Sequence, residues 1–281
     1  MKPTRRAFWA VLLVASIAIS CGTAYTQKRT PDVHFETTPQ SVVEEMFQMA
    51  GVTKDDIVYD LGCGDGRFVI TAAKKFGARG VGIDIDPKRV KESLENVIEA
   101  GVTDRVKIIE DDLFTTNISE ATVITLYLLR DLNLKLRPKL LRELKPGTRI
   151  LSYVFDMGDW EPDDKVDHIF NYWIIPAQVA GTWRWSLSTP KGERGYDLRL
   201  KQDFQKVTGQ VTIPEGREVR ITDAKLTGDR LSFRVRFDDA NKQRVVMQFN
   251  GRISGNVMDG KVEVAGGPFA GSHPWAAKRN P

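Results

Sequence analysis

The densest run of chemistry-bearing residues is VYDLGCGDGR, residues 58–67. An apolar stretch ends in Asp60, and Gly62, Gly64 and Gly66 follow at alternate positions. Glycines so spaced let a chain turn sharply and bring bare backbone against a ligand. The dinucleotide fingerprint G-x-G-x-x-G needs its third glycine one place later, where Arg67 stands. A P-loop needs Lys and Ser or Thr after its last glycine, and neither follows. Two further acids come in order. Asp84 closes GVGID, and Asp112 lies within IIEDDLF. A carboxylate ending a second parallel strand can accept from both hydroxyls of a ribose. Each acid taken singly also reads as a loop or cap residue. Three acids at the ends of three successive parallel strands lie where such sheets bind ligands. Cys63 has no visible base partner and reads as a small turn residue rather than a nucleophile.

The elements needed to hold these residues are legible from periodicity. Val42, Val43, Met46, Phe47 and Ala50 share a helical face, with Thr38 as its expected cap, Pro39 in its first turn and Gly51 closing it. Strands are expected at 56–61, 80–84, 106–109, 121–128 and 148–155, and a further antiparallel one at the sheet edge over 168–175. Helices are expected over 68–76, from Asp86-Pro87 to Gly101 with Val90, Leu94, Val97 and Ile98 inward, and over 133–144 around Pro138. Alternating strands and helices imply an α/β, Rossmann-like, doubly wound sheet. After Pro176 the helical period vanishes. TWRWSLS, YDLRLKQ, KVTGQVTI, RLSFRVRF, RVVMQFNG and KVEVAG alternate by two between turns. They predict a smaller all-β domain, a lipocalin-like barrel or a sandwich, with Leu198, Leu200, Leu231, Phe233, Val235 and Phe237 inward and Arg234 and Arg236 outward. The expected division is 1–27 for a signal, 33–177 for the α/β domain and 178–281 for the β domain.

The order acid, one residue, then G-x-G-x-G resembles the first motif of class I S-adenosylmethionine-dependent methyltransferases. TTPQSVVEEMF, VYDLGCGDGRFVI, GVGIDIDP, DDLF, TLYLL and FDMGDWEP narrow the likeness. Over about half the chain they resemble a bacterial family related to the mitochondrial protein-lysine methyltransferases of the ATP synthase c-subunit and the adenine nucleotide translocase. The resemblance implies S-adenosyl-L-methionine as cofactor and a protein lysine as acceptor. It places Thr38, Asp60, Gly62, Cys63, Gly64, Asp84, Ile85, Asp112 and Leu113 at the cofactor, with Thr37 a further candidate. Asp60 would take the methionine amino group, Asp84 the ribose, and Asp112 with the Leu113 N–H the adenine.

Methyl transfer to an amine needs positioned reactants more than a strong acid or base. Acceptor-facing residues should follow the fourth strand, where Tyr127 is the candidate catalytic residue. It is suited to orient an amine by hydroxyl or ring face, and equally to pack under a helix. Trp160 has the same two readings. No Asn-Pro-Pro-Tyr motif is present.

The 281 residues are 41% hydrophobic and 28% charged with a net charge of +4, too little basic excess to imply nucleic acid as a partner. Two cysteines and three histidines do not cluster at metal-ligand spacing, so no metal is expected. Lys2, Arg5 and Arg6 precede an uncharged run from Ala7 to Ile19, the pattern of a secretory signal. Cys21 loosely matches a lipidation site. The protein is therefore expected to be exported or membrane-associated through its N-terminus, with a cytoplasmic catalytic domain still compatible. Because that cofactor is made in the cytoplasm, a non-catalytic envelope protein acting through its β domain stands as the alternative. A small molecule or lipid held by a barrel is the third reading.

Overall fold

The computed structural model describes residues 30–32, 34–166, 169–189, 192–267 and 269–280. The expected signal at 1–27, Cys21 and His168 lie outside them. Two bodies follow one another: a mixed seven-stranded sheet flanked by helices, and a closed eight-stranded barrel.

The sheet is built from β1 (Ile57–Leu61), β2 (Arg79–Asp84), β3 (Val106–Glu110), β4 (Val123–Leu126), β5 (Arg149–Tyr153), β6 (Asp164–Val166) and β7 (Phe170–Ile174). Their order is β3-β2-β1-β4-β5-β7-β6. The first five are parallel, and β7 runs antiparallel beside β5. β1 and β4 are buried on both faces, as central strands covered by helices must be. The order reverses at β1, so a crevice opens at the carboxyl ends of β1, β2 and β4, where ligands bind in such sheets. The seventh strand is not the edge expected of it. The three-residue β6, mostly exposed, takes that place.

Helices α1 (Gln40–Met49), α2 (Arg67–Phe76), α3 (Pro87–Glu99) and α4 (Arg130–Glu143) fall close to their expected spans. Two details differ. Thr38 does not cap α1: Pro39 is the N-cap residue, and its carbonyl receives the N–H groups of Val42 and Val43 while Thr38 is buried. On α3 the buried face is Val90, Ser93 and Val97, whereas Leu94 and Ile98 are 44% and 67% exposed. The small Ser93 faces inward because the glycine turn packs on it. A Cβ on Gly66 would stand 3.1 Å from the Ser93 Cβ.

Strands β8 (Gly181–Thr189), β9 (Gly192–Asp203), β10 (Lys206–Thr212), β11 (Glu218–Thr227), β12 (Arg230–Asp238), β13 (Arg244–Ser254), β14 (Val257–Ala265) and β15 (Gly271–Arg279) form an up-and-down meander that closes β15 onto β8. All six expected inward residues are buried. The interior is filled by stacked rings: Trp185 on Tyr196 at 5.3 Å and Phe233 on Phe249 at 4.6 Å, with Trp275 edge-on at 5.1 Å to Phe249. Eight strands enclose about the width that side chains can fill, and here they do. The outer face carries charge, as in the Arg234–Asp223 and Arg184–Asp197 pairs.

The two bodies are keyed together. The β9–β10 turn carries Phe204, whose ring stacks on the fully buried Trp160 at 5.6 Å. The Trp160 Nε1–H donates to Gln205 Oε1 at 3.0 Å, and Gln205 Nε2–H donates to the Glu161 carbonyl at 2.7 Å. Trp160 is thus a packing residue at the domain junction, not an acceptor-facing one.

Candidate active site

The glycine turn leaves β1 and is tied at once to β2. The N–H groups of Gly62 and Cys63 both donate to the Ile83 carbonyl, at 2.8 and 3.0 Å. Gly62 and Gly64 have φ of 85° and 54°. In that region a side chain is strained, so glycine is what permits the turn. A Cβ on Gly64 would fall 2.1 Å from the Phe35 ring. Past the turn, Asp65 and Arg67 form an ion pair, and Arg67 also donates to the Thr38 carbonyl. The segment before α1 is thereby clamped over the turn.

Asp84, at the end of β2, accepts from the Gly64 N–H and from the Asp86 N–H, both at 2.9 Å, one on each oxygen. Each oxygen keeps a further lone pair for a ligand hydroxyl. Burial raises its pKa, against those backbone bonds. Asp60 is 4% exposed and accepts from the Thr125 hydroxyl at 2.7 Å. Burial, with smaller help from Asp65 and Asp84, pushes its carboxyl up to about 8. Asp112 accepts from the Phe114 N–H at 2.9 Å and so shapes the turn after β3, the cap role its position also allowed. Cys63 is buried and its thiol is pushed well above its ordinary range by that burial, which suits a turn residue and not a nucleophile.

These residues share one cleft. Thr38, Asp60, Gly62, Cys63, Asp84, Ile85, Asp112, Leu113 and Tyr127 all line it. Gly64 stands beside it, under Phe35 and against Asp84. The sequence reading missed Phe35, Arg67, Arg89 and Phe114, which also line it. The Arg89 guanidinium lies 4.5 Å from the Phe35 ring centroid. Arg67 directly follows the glycine turn and was the one of the four with a signal in the motif. The other three depend on how distant segments fold over the crevice. Seven aspartates and Glu36 face this space against Arg67 and Arg89. So acidic a wall disfavours a phosphate-bearing dinucleotide and suits a ligand carrying positive charge.

Tyr127 leaves β4 half-buried at the cleft, its ring 4.8 Å from Tyr153 at 65° and 6.3 Å from Phe155. Burial raises its pKa, with contributions from Tyr153 and Glu36. The hydroxyl therefore stays protonated near neutrality.

The model of the ANTKMT methyltransferase domain matches residues 60–164. A protein-lysine N-methyltransferase of Saccharolobus islandicus (strain REY15A) is 48% identical over 137 residues, taking in 48% of this chain and 85% of that protein. The chain belongs to this methyltransferase family. The ATP synthase C-subunit lysine N-methyltransferase of Homo sapiens is similar to the methyltransferase at 29% identity over 180 residues, 64% of this chain and 72% of its own. Among solved structures, an RNA methyltransferase from Salinibacter ruber in complex with S-adenosyl-L-homocysteine superposes with a TM-score of 0.51 at 52% identity. It takes in 51% of this chain and 96% of that one. S-adenosylmethionine is the methyltransferase's cofactor, and the cleft fits it. The cleft offers bare glycine backbone together with carboxylates on β1, at the end of β2 and after β3.

Proposed function

We propose that the chain transfers the methyl group of S-adenosylmethionine to lysine side chains of a protein. The observation that carries this reading is the acidic cleft ending at an aromatic wall around Tyr127. Such a wall attracts an alkylammonium group, while the carboxylates repel a nucleic-acid phosphate. The names of the archaeal and human relatives support the same acceptor. The Salinibacter ruber neighbour is described as an RNA methyltransferase, and nucleic acid is therefore the acceptor class against which lysine is to be tested.

In this reading Asp84 holds the ribose, Asp60 the methionine ammonium, and Asp112 with Leu113 the adenine. When bound, the cofactor supplies a methyl carbon activated by a sulfonium leaving group. The chain's own task is positioning. Thr125 orients the Asp60 carboxyl, Gly64 and Asp86 orient Asp84, and the Arg67 clamp holds the Thr38 segment over the turn. Lysine enters as the neutral amine after shedding its proton to solvent, and Tyr127 directs it by accepting an N–H on its hydroxyl oxygen, which leaves the nitrogen lone pair to the methyl carbon. The barrel, with its filled interior and charged exterior, is read as a surface for the protein substrate rather than a vessel for a lipid. The signal-like residues 1–27 support placement at the cell envelope, and a reporter active only beyond the inner membrane, fused to the chain, tests it.

The deciding experiment is transfer of labelled methyl groups to fractionated lysate, with mass spectrometry of the modified species. Label on protein lysine is expected. Label confined to RNA would overturn the acceptor assignment. Asp84→Ala tests the cofactor assignment by calorimetry, with an expected loss in S-adenosylhomocysteine affinity of about 100-fold for a charged, half-buried acceptor. Unchanged affinity would remove Asp84 from the site.

A further inference from the structure

The backbone reverses sharply after β5. Val154 has φ of 67°, a conformation that a β-branched residue adopts only under constraint, yet its side chain is 46% exposed. The Phe155 N–H donates to the Tyr153 carbonyl at 2.8 Å, closing a three-residue γ-turn of the rare, strained hand. Three buried polar side chains from three different elements hold it. Ser152 Oγ donates to the Phe155 carbonyl at 2.7 Å. Asn171 Nδ2 reaches the same carbonyl at 3.3 Å, and Asn133 Nδ2 reaches the Asp156 carbonyl at 3.3 Å. Asn133 Oδ1, fully buried, has no hydrogen-bond partner among the described residues. Strain that is over-determined by its surroundings collects at functional sites.

Two rings meet Tyr127, and the turn places the second of them. Tyr153 stands edge-on to Tyr127, and Phe155 lies nearly parallel to it at 26°. Tyr127 itself lines the cofactor cleft. The parallel register that pairs Leu126 with Ser152 already sets Tyr153 beside Tyr127, whereas a regular strand would carry residue 155 two steps further on. The reversal at Val154 brings Phe155 back to Tyr127.

We propose that Tyr127, Tyr153 and Phe155 form the wall that receives the acceptor's alkylammonium group, and that the strained turn at Val154 is the positioning device for that wall. The inference deepens the lysine reading and rests on it. The ring faces attract a cation that is partly stripped of water, and they continue to attract it as methyl groups replace its N–H bonds, because the attraction needs no hydrogen bond. The wall therefore tolerates lysine that is already methylated.

The test uses the full chain without cofactor and two probes of one shape: choline, and its neutral carbon isostere 3,3-dimethyl-1-butanol. Binding is followed by NMR. Choline is expected to bind about tenfold tighter than the alcohol. Phe155→Leu, which keeps bulk and loses the ring face, should abolish most of that preference, and Phe155→Tyr should restore it. S-adenosylhomocysteine affinity should be unchanged in both. Equal affinity for the two probes, binding of neither, or a preference that survives Phe155→Leu overturns the proposal. So does loss of S-adenosylhomocysteine along with choline, which would assign the wall to the cofactor. Ser152→Ala, which removes the hydroxyl that holds the Phe155 carbonyl, should raise KM for the lysine acceptor about tenfold with kcat near wild type, and an unchanged KM removes the positioning role. If the wild-type chain labels no lysine in lysate but still prefers choline through Phe155, the lysine reading fails and the wall stands. If lysine is labelled and the preference is absent, the wall fails and the lysine reading stands.

Discussion

With Asp60 at the cofactor's ammonium, as proposed, cofactor binding becomes a proton-releasing event. Its carboxyl is buried, receives one hydrogen bond, from Thr125, and has Asp65 and Asp84 nearby, so it titrates at about 8 rather than at the ordinary 3.8. At pH 7 that leaves about ten protonated copies for each ionised one. The cofactor's ammonium requires the ionised form. Binding at pH 7 should then expel roughly 0.9 proton from this group. Affinity for S-adenosylhomocysteine, which keeps the ammonium, should rise about tenfold per pH unit from 6 towards 8 and flatten above. The sign for folding is opposite. Between the ordinary carboxylate range and pH 8 the folded chain without cofactor holds a proton that the unfolded chain has lost. Stability therefore falls as pH rises through that window, by ~1.4 kcal/mol per pH unit from this group. Calorimetry in two buffers of different ionisation enthalpy counts the protons directly. Asp60→Asn should bind weakly and without this pH dependence. A wild-type affinity that is flat from pH 6 to 8, with no proton release, would refute the reasoning.

Three further outcomes follow from the geometry. Gly64→Ala places a side chain at a φ of 54° and drives the Phe35 ring off the turn; it should cost ~1–2 kcal/mol by thermal melting and weaken cofactor binding at least about tenfold, while retained affinity would show that this backbone need not approach the ligand. Val154→Gly should raise stability by ~0.5–1 kcal/mol, the relief of a left-handed residue less the entropy of a new glycine, and a destabilised variant would mean that the turn is unstrained. Trp160→Ala should lower stability by ~3–5 kcal/mol, measured by denaturant unfolding, and a loss below about 1 kcal/mol would show that the Phe204 contact is loose.

The site's cofactor half was legible because its chemistry is local. An acid and three glycines sit within one turn, and Asp84 and Asp112 end strands whose apolar runs are unmistakable. The acceptor half was not. Tyr127 could be named, but Tyr153 meets it only through the β4–β5 register, and Phe155 only through a backbone reversal at a valine, a residue that advertises regular strand. The same limits apply to the fold. β6 is three residues of Asp-Lys-Val, too short and too polar for an alternation to register. β11 breaks its period at a bulge between Thr222 and Lys225, where Asp223 has φ of 54°. β15 contains Gly271 and Pro274, both strand-weakening, and Pro274 pairs opposite Lys261. On α3 hydrophobicity alone pointed Leu94 and Ile98 inward, whereas the core accepted the smaller Ser93 because the glycine turn lies against it. Gly228 packed against Gly147 shows the same rule at the junction, where close backbone approach outweighs apolar burial.

The contact between Phe204 and Trp160 bears on how the molecule comes apart. The change of texture in the sequence invites a cut near residue 178, and half of this chain matches 96% of the length of the Salinibacter ruber chain. In this protein that cut would uncover the indole of Trp160, strip the partner from its N–H, and leave the Arg137 guanidinium without the ring it lies against, 5.2 Å from the Phe204 centroid. Trp160 lies only five residues beyond Phe155. The barrel thus acts as a cork for the loop that carries the acceptor wall. A severed catalytic half would have its weakest spot beside its own active site.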